Sequence, residues 1–357
     1  MKLIFVTQNN LMHYRIPIFS IVNSQKDIEL TLAHCEKTAN LLDMQEVILE
    51  RRKIGPFYWF KNFGKICKEY DVILCMAYFQ NLSVLRMLLK RRRKFKVILW
   101  GIGVRASTKP GHTYDSNSMF EGLKEFFYKK ADALVFYSSY PIEKHAKYGV
   151  PRERMFVANN TVEVIKHDYN YPSIREQFLF VGTLYKTKGL DKLLSAYADA
   201  CKKYPNIYKL TIVGDGDISY YMQMVGDLHI DGKVEFTGGI YDAKPLSEQF
   251  LKSVLCISPN QAGLTVLISL GYGVPFVTSS DALTGGERLN VIEGQTGFYC
   301  DTQEAITKIM IDSYQNPEKY REIGKSAYDY YWKNRTPERM AQGIIDAVRY
   351  VAENKNN

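Results

Sequence analysis

The feature that most constrains the fold is an alternation of short apolar strands with helices, which runs along the chain twice. In the first half the predicted strands are Leu3–Thr7, Ile28–Ala33, Val72–Met76, Val97–Trp100, Ala133–Tyr137 and Met155–Val157. In the second half they are Gln177–Val181, Leu210–Val213, Val234–Phe236, Val254–Ile257 and Phe276–Thr278. Such a pattern predicts parallel sheets with helices on both faces. We therefore expect an α/β protein with two doubly wound domains facing a central cleft.

The expected boundary between these domains is Tyr171–Pro172. The 357 residues, 46% of them hydrophobic, suffice for two full cores. We assign residues 1–172 to the first domain and residues 173–335 to the second. The last segment, 336–357, has a helical pattern without a strand and can return to pack on the first domain.

Charge is divided unevenly between the two domains. Residues 1–172 contain 27 Lys and Arg against 16 Asp and Glu, a net +11, whereas residues 173–357 contain 20 against 22, a net −2. The excess is concentrated in clusters at 51–53, 86–96 and 124–130. Three clusters on one domain favour an anionic membrane surface over solvated helix ends. Nucleic acid is not an expected partner, because the chain has no combined basic and aromatic recognition motif.

The cysteines and the apolar runs indicate the compartment. The six cysteines are scattered, with no C-x-x-C pair, which is typical of buried, reduced thiols. The opening MKLIFVTQNN turns polar too soon for a secretion signal, and no stretch approaches the roughly 18 apolar residues of a membrane span. We expect a cytoplasmic protein that attaches peripherally to the inner face of the cell membrane.

The segment 258–298 has the pattern of a phosphate-binding unit. A strand ends near Ser258, and a polar loop leads to a helix start at Gly263, Leu264 and Thr265. Free N–H groups and the positive end of a helix dipole attract phosphate or diphosphate. An ordinary strand–helix–strand unit with turn glycines would also have this pattern.

Three further loops follow strands of the second domain. The first, 181–189, carries Lys188 before a helix start, where its ammonium can meet an anion or can simply be exposed. The second contains Asp215 and Asp217, which suit either a β-turn with a helix cap or a D-x-D metal clamp. The third offers the bare backbone of Gly238 and Gly239 to a flat heterocycle.

Together these loops resemble a known family. The segments VGTLYKTKGLDKLLSAY, LTIVGDGD, VEFTGGI, SPNQAGLTVLISLGYGVPFVTS and EGQTGFYCD have the order and spacing of the donor domain of family 4 retaining glycosyltransferases, which adopt the GT-B fold of two Rossmann-like domains. NLMHYRIPIF, VILWGIGVR and ADALVFYS are similar to members that build bacterial surface polysaccharides. The resemblance implies a retaining hexosyltransferase that uses a nucleotide diphosphate sugar, such as a UDP- or GDP-sugar, without a metal or another cofactor.

The resemblance also implies roles for individual residues. The matched donor-site positions are Gly182, Thr183, Lys188, Gly238, Gly239, Asn260, Gly263, Leu264 and Thr265. Lys188 matches the lysine that holds the donor diphosphate, and the backbone of 263–265 matches the segment that receives it. The loop at 238–239 matches the one that receives the base.

Three positions depart from the family pattern. Thr183 stands where the family has an arginine, and Asn260 and Ile268 stand at the places of two glutamates that touch the sugar and the ribose. Asparagine can still hydrogen-bond a sugar hydroxyl, whereas isoleucine cannot. We expect Glu287, in a nearby Gly-Gly-Glu loop, to take over this recognition unless it is an ordinary surface residue. Arg105 is a candidate for the missing second cation.

Loops of the first domain are expected to receive the acceptor, a glycan or a lipid-linked glycan. Asn10, His13 and Arg15 follow the first strand, where Arg15 can meet a lipid-linked diphosphate and His13 a sugar hydroxyl, although either can be structural. His112 lies in the loop after the fourth strand.

The implied mechanism depends on electrostatic stabilisation. The diphosphate leaves while held by Lys188 and the helix start, and the acceptor hydroxyl attacks the same face of the sugar. The departures at 183, 260 and 268 equally suit a nucleotide-sugar-binding protein that has lost catalysis. A Rossmann dehydrogenase is disfavoured, because no G-x-G-x-x-G follows the first strand of either half.

Overall fold

The structure is a computed structural model, which describes residues 1–37, 44–109, 111–116, 121–169 and 174–354. The chain divides into two compact units. The first comprises Met1–Arg105, Ser116–Thr161 and Pro337–Asn357, and the second comprises Ala106–Asp115 and Val162–Thr336. The boundary expected at Tyr171–Pro172 lies outside the described residues.

Strands occur in both units. Those of the first unit are β1 (Lys2–Val6), β2 (Glu29–His34), β3 (Gln45–Ile48), β4 (Arg51–Ile54), β5 (Phe57–Phe60), β6 (Val72–Met76), β7 (Lys96–Gly101), β8 (Ala133–Phe136) and β9 (Met155–Val157). Those of the second unit are β10 (Gln177–Val181), β11 (Lys209–Val213), β12 (Val234–Gly238), β13 (Ser253–Ile257), β14 (Phe276–Thr278) and β15 (Gly297–Tyr299). The sequence pattern does not predict β3, β4, β5 or β15.

The helices include two whose starts are capped by a side chain. The helices are α1 (Ile16–Asn23), α2 (Phe63–Ile66), α3 (Leu82–Leu88), α4 (Glu121–Lys130), α5 (Tyr140–Lys147), α6 (Leu190–Lys203), α7 (Ser219–Asp227), α8 (Ala243–Leu251), α9 (Thr265–Gly271), α10 (Gln303–Gln315), α11 (Pro317–Asn334) and α12 (Pro337–Glu353). The Asn81 side chain accepts hydrogen bonds from the first N–H groups of α3, and the Thr302 side chain does the same for α10. In the described ranges, no helix has both the length and the apolar character needed to cross a membrane.

The two parallel sheets share one topology. In the first unit the strand order is β3-β2-β1-β6-β7-β8-β9, and in the second it is β12-β11-β10-β13-β14-β15. In each sheet the chain begins in the middle, builds one edge and then returns to build the other. The prediction of an α/β protein with two doubly wound sheets is confirmed. Ligands of such sheets bind beyond the carboxyl ends of the strands where the order reverses, here between β1 and β6 and between β10 and β13.

The last helix, α12, completes the core of the first unit. Met340, Ile344 and Val348 are fully buried on one face of the helix, which packs against α1, β8 and β9. Gly343 permits a close approach, because a Cβ there would lie 2.1 Å from the carbonyl oxygen of Val157 in β9. The helix therefore lies directly on the strand backbone.

Strands β4 and β5 form a separate antiparallel hairpin, which we call the basic hairpin (residues 51–60). The N–H of Phe60 donates to Ser83 Oγ at 2.8 Å, which fixes β5 to the first turn of α3. The side chains of Tyr58 and Phe60 are buried, whereas those of residues 51–57 are exposed. The hairpin thus presents a charged and apolar surface on a fixed base.

Candidate functional site

In the second unit, the loops that follow β10 and β13 lie side by side where the strand order reverses. The N–H of Asn260 donates to the carbonyl oxygen of Lys188 at 3.3 Å. Gly189 is in the left-handed region with φ +75°, and a Cβ there would lie 2.7 Å from the Asn260 side chain. The structure therefore brings together the two segments that the sequence singles out, 182–189 and 258–265, and we call the space beside them the crevice.

Glycines join the loops that follow β10, β11 and β12. The N–H of Gly214 donates to the carbonyl oxygen of Gly238 at 2.9 Å. A Cβ on Gly214 would lie 2.0 Å from the carbonyl oxygen of Gly182, a distance that no side chain tolerates. Gly182 and Gly238 are therefore part of one connected backbone layer.

Lys188 is half-buried at this layer. Its ammonium lies over Gly182, where a Cβ would be 2.5 Å from Nζ. Burial lowers the pKa of Lys188 below its ordinary value, because charge is less stable away from water. In the described part of the chain the ammonium forms no ion pair and donates no hydrogen bond. A half-buried cation without a counter-charge is a binding position for an anion.

The start of α9 contributes backbone donors a few residues after Asn260, whose N–H bonds to the Lys188 carbonyl oxygen. In the described ranges the N–H groups of Gly263 and Leu264 have no acceptor, and the first internal bond runs from Val266 N–H to Gly263 O at 3.0 Å. A Cβ on Gly263 would meet only the end of the Gln261 side chain, at 4.0 Å. These N–H groups are consequently accessible to an oxyanion.

Asn260 and Thr183 also border the crevice. The side chain of Asn260 is half-buried, and among described residues its amide has no hydrogen-bond partner. The side chain of Thr183 is exposed and carries no charge. Lys188 is therefore the half-buried cation of this loop. Ile268 packs against the buried core of the second unit and adds no polar group.

The Asp215-Gly216-Asp217 turn is organised by hydrogen bonds within the protein. Asp215 accepts from the N–H of Gly239 at 2.8 Å and from the hydroxyl of Tyr241. Asp217 accepts from the N–H of Ser219 at 2.9 Å, and this bond lowers the pKa of Asp217. These are the hydrogen bonds of the predicted turn, in which Asp217 accepts from the first N–H of α7. Among the described residues no group of three His, Cys, Asp or Glu side chains has the arrangement of a metal site.

Glu287 is buried within its own loop. Its carboxylate accepts from the N–H of Gly285 at 3.0 Å and lies 3.5 Å from Thr284 Oγ1. The side chain is 8% exposed. Both contacts are made by Oε2 and hold the loop, and the contact of Glu287 with a ribose or a sugar stays a prediction.

The segment Ala106–Asp115 supports the same loop from outside the main body of the second unit. Ser107 and Thr284 exchange two backbone hydrogen bonds, each 3.0 Å long. The Tyr114 hydroxyl lies beside Gly286, where a Cβ would be 2.9 Å away. His112 is half-buried, and its carbonyl oxygen accepts from Ser107 Oγ at 2.5 Å. His112 is thus part of the support of the Thr284–Glu287 loop.

Arg15 lies inside the first unit, in the segment that follows β1, where the strand order reverses. Its guanidinium is within 5.3 Å of the ring centres of Tyr14, Trp100 and Tyr137. It donates to Asn160 Oδ1 at 2.7 Å, and the side chain is 8% exposed. These contacts favour a packing role over the direct contact with a lipid-linked diphosphate that the sequence suggests.

The other predicted residues of the first unit are more accessible. His13 is exposed and stacks edge-on against Tyr14, with ring centres 5.6 Å apart. Asn10 is half-buried, and Arg105 is exposed. Loop position 103, close to Arg105, is fixed by His145, whose Nε2 lies 3.0 Å from the carbonyl oxygen of Gly103.

Residues 162–330 match the family model described as "Glycosyl transferases group 1". The matched range contains the crevice and the Thr284–Glu287 loop.

Two curated proteins are similar to parts of the chain. An uncharacterized glycosyltransferase of Haemophilus influenzae is 25% identical over 182 residues, which are 48% of this chain and 50% of that protein. The lipopolysaccharide core biosynthesis glycosyltransferase LpsE of Rhizobium meliloti is 24% identical over 246 residues, 64% of this chain and 70% of that protein. The chain thus spans half the length of the first relative.

The fold is shared along nearly the whole chain with solved structures. Anabaena HepE, crystallised with UDP, superposes with a TM-score of 0.71 at 15% identity, covering 98% of this chain and 100% of that one. A glycosyltransferase of Rickettsia africae superposes with a TM-score of 0.72 at 14% identity, covering 99% of each chain. The predicted GT-B fold is confirmed. The family match and the fold support a glycosyltransferase.

Sequence reasoning missed two parts of the site. The first is the pair of hydrogen bonds that Asp215 accepts from Gly239 and Tyr241. The sequence signals for it are a carboxylate in one loop and a Gly-Gly-x-Tyr sequence in the next. The second is the support that Ser107 gives to Thr284, for which a single sequence carries no signal.

Proposed function

We propose that this protein transfers a sugar from a nucleotide diphosphate sugar to a glycan acceptor, with retention of configuration at the anomeric carbon. The observation that carries the proposal is the Lys188 ammonium, half-buried at the sheet's reversal point with no counter-charge among the described residues. Such a cation costs folding free energy unless an anion joins it, and the crevice offers further N–H donors for the same anion.

We propose one orientation for the donor in the crevice. Its diphosphate lies between Lys188 and the N–H groups of Gly263 and Leu264. Its base lies against the backbone of the 238–239 loop, where Gly238 is exposed, Gly239 is half-buried and neither residue carries a side chain. Its sugar then reaches the amide of Asn260, which can donate and accept hydrogen bonds with hydroxyl groups. The crystals of HepE with UDP support a uridine nucleotide before a guanosine nucleotide.

The reaction breaks the bond between the anomeric carbon and the diphosphate oxygen. The acceptor hydroxyl oxygen forms the new bond on the same face of the sugar, and its proton passes to the departing diphosphate. Lys188 and the α9 start stabilise the negative charge that develops on the leaving group, and stabilisation of this kind supplies the largest part of the rate enhancement in many enzymes. The chain brings no second cation at position 183, and Arg105 stays a candidate for that role.

The acceptor that we propose is a lipid-linked glycan in surface polysaccharide synthesis. The similarity to the lipopolysaccharide core enzyme of Rhizobium meliloti supports this choice. His13 and Asn10, at the reversal point of the first sheet, are the candidate contacts with acceptor hydroxyl groups. Peripheral attachment to an anionic membrane would bring the enzyme to such an acceptor.

The deciding experiment has two stages. Thermal unfolding with UDP-, GDP- and dTDP-sugars identifies the donor, because a ligand at 100 times its Kd stabilises the folded state by about 2.7 kcal/mol. Release of nucleoside diphosphate is then measured with glycan acceptors present. Donor binding with acceptor-dependent release is the expected result. Binding without release under any acceptor would instead indicate a binding protein that has lost catalysis, which the residues at 183 and 268 would explain. Absence of donor binding would refute the proposal.

A further inference from the structure

A groove in the first unit, formed by the basic hairpin, α2 and α3, contains none of the predicted donor or acceptor residues but includes Arg86 and Lys90 of the basic cluster at 86–96. It has a volume of about 650 Å³ and is lined by parts of 59–65 and 82–90 together with Phe95. Four lining residues are cations, Lys61, Lys65, Arg86 and Lys90, and the lining that the structure describes includes no Asp or Glu. The groove is therefore strongly positive.

Among the described residues, one of these four cations has an ion-pair partner. Lys61 pairs with Glu50 at 2.9 Å. Lys65, Arg86 and Lys90 are exposed and form no ion pair with any described residue. Lys90 reaches across to α2, where a Cβ on Gly64 would lie 3.6 Å from its Nζ. Cations gathered in one concave surface repel one another and raise the local affinity for anions.

The groove lies in the segment that gives the protein its charge. Residues 51–96 contain 13 Lys and Arg against Glu69 and Asp71, an excess of 11. The remaining residues contain 34 Lys and Arg against 36 Asp and Glu, so this segment accounts for the whole net charge of +9. Arg93 and Lys96 are held by Asp132, at 3.0 and 3.6 Å, and are structural exceptions within the segment.

Apolar side chains on the same two elements distinguish a membrane from a soluble anion. Ile54 and Phe57 pair across the turn of the basic hairpin and are 67% and 44% exposed. Leu82 and Leu89, at the two ends of α3, are 39% and 56% exposed. Trp59 lines the groove and is half-buried. Cations beside exposed apolar and indole side chains are the composition of a bilayer-binding surface, whereas a soluble phosphate ligand needs only the cations.

We propose that this groove binds the phosphate of an anionic membrane lipid while the turn of the basic hairpin enters the bilayer surface. The site defines one lipid-binding position in the first unit, and it does not depend on the proposed transfer reaction. Lys65, Arg86 and Lys90 contact the phosphate, and Ile54 and Phe57 contact the acyl chain boundary.

The test is flotation of the full-length protein with vesicles of phosphatidylcholine, with and without phosphatidylglycerol. Each cation near an anionic surface contributes about a fivefold factor to binding. The triple variant Lys65→Ala, Arg86→Ala, Lys90→Ala should therefore bind the anionic vesicles roughly a hundredfold more weakly. The double variant Ile54→Ser, Phe57→Ser should weaken binding while leaving the charge unchanged. These side chains are exposed, so the midpoint of thermal unfolding should stay unchanged.

A matched control separates the groove from general charge. Lys26, Lys37 and Lys147 are exposed lysines of the first unit that lie outside the groove and outside the three basic clusters. Their triple alanine variant loses the same three charges and should weaken vesicle binding by less than about tenfold. Equal losses in the two triple variants would overturn the proposal.

Two soluble probes test the other possible occupants. Calorimetry with glycerol 3-phosphate and with a single-stranded oligonucleotide should show binding far weaker than vesicle binding. Groove-dependent binding of either probe without vesicle binding would overturn the lipid assignment. Nucleotide-sugar affinity measured on the same variants should be unchanged, so that failure of the membrane proposal and failure of the transfer proposal give different results.

Discussion

Replacing Lys188 by methionine should separate the two energetic effects of this residue. The free protein holds a half-buried ammonium without a counter-charge among the described residues. Methionine has a similar length and no charge, so the substitution removes a desolvation cost and keeps most of the packing. We expect the free energy of unfolding of the ligand-free protein to stay within about 0.5 kcal/mol or to rise.

The effect on UDP binding should have the opposite sign. Hydrogen bonds that involve a charged group contribute about 1.5–3 kcal/mol. Loss of the contact between Lys188 and the diphosphate should thus raise the Kd for UDP by a factor of about 10 to 150. Because the anion neutralises a cation that is partly removed from water, the true factor should lie in the upper part of this range.

The assay is isothermal titration with UDP, together with urea unfolding of the ligand-free proteins. Lys186→Met is the matched control. Lys186 belongs to the same short turn but is exposed, with its ammonium 5.2 Å from the ring centre of Tyr220. Its substitution should change the Kd by less than about threefold. Equal effects of the two substitutions on UDP binding, or strong destabilisation by Lys188→Met alone, would refute the reasoning.

The same site gives three further predictions. Because burial lowers the pKa of Lys188 in the folded protein, unfolding takes up a proton at pH values between that pKa and the ordinary value of 10.5. In this window the free energy of unfolding should therefore rise with pH, while the affinity for UDP should fall. Urea unfolding and calorimetry at several pH values should show smaller slopes for Lys188→Met. Gly214→Ala should lower the free energy of unfolding by about 1–3 kcal/mol and weaken UDP binding, because its Cβ would meet the Gly182 carbonyl oxygen. Gly122→Ala is the control: a Cβ there meets nothing within 4 Å, so the free energy of unfolding should not fall. Glu287→Ala should cost about 1–3 kcal/mol of stability in urea unfolding by leaving the Gly285 N–H without an acceptor; unchanged stability with weaker sugar-nucleotide binding would instead assign Glu287 to the donor.

Much of the fold follows from patterns that are local in sequence. The apolar runs of β6 and β10 both predict the bounds that the structure has. The basic hairpin is not predicted, because Arg51, Arg52 and Lys53 resemble a solvated charge run. In the structure they pair with β5, which is bonded to the start of α3. Strand β15 has three residues, too few for a periodic pattern.

The site is predictable where backbone determines it and less so where side chains do. The loops that carry Lys188 and Asn260 meet because parallel strands place both of them at one reversal point, which the strand order implies. The burial of Arg15 and Glu287 depends on contacts that a sequence pattern does not encode, such as that of Arg15 with Asn160. A single sequence gives no signal for such contacts. The sequence therefore leaves a ligand role and a structural role open for both residues, and the structure adds the protein contacts that each one makes.

The position of α12 has a consequence for the order in which the chain can fold during synthesis. The helix follows the entire second unit in sequence, yet its face of Met340, Ile344 and Val348 closes the core of the first unit. During synthesis the second unit is therefore complete before α12 is made. Until then, the apolar surface of the first unit around β8 and β9 stays exposed to solvent. Residues 1–161 made as a separate fragment would carry that uncovered surface permanently, so neither half of this protein can be cut out as a simple stretch of sequence.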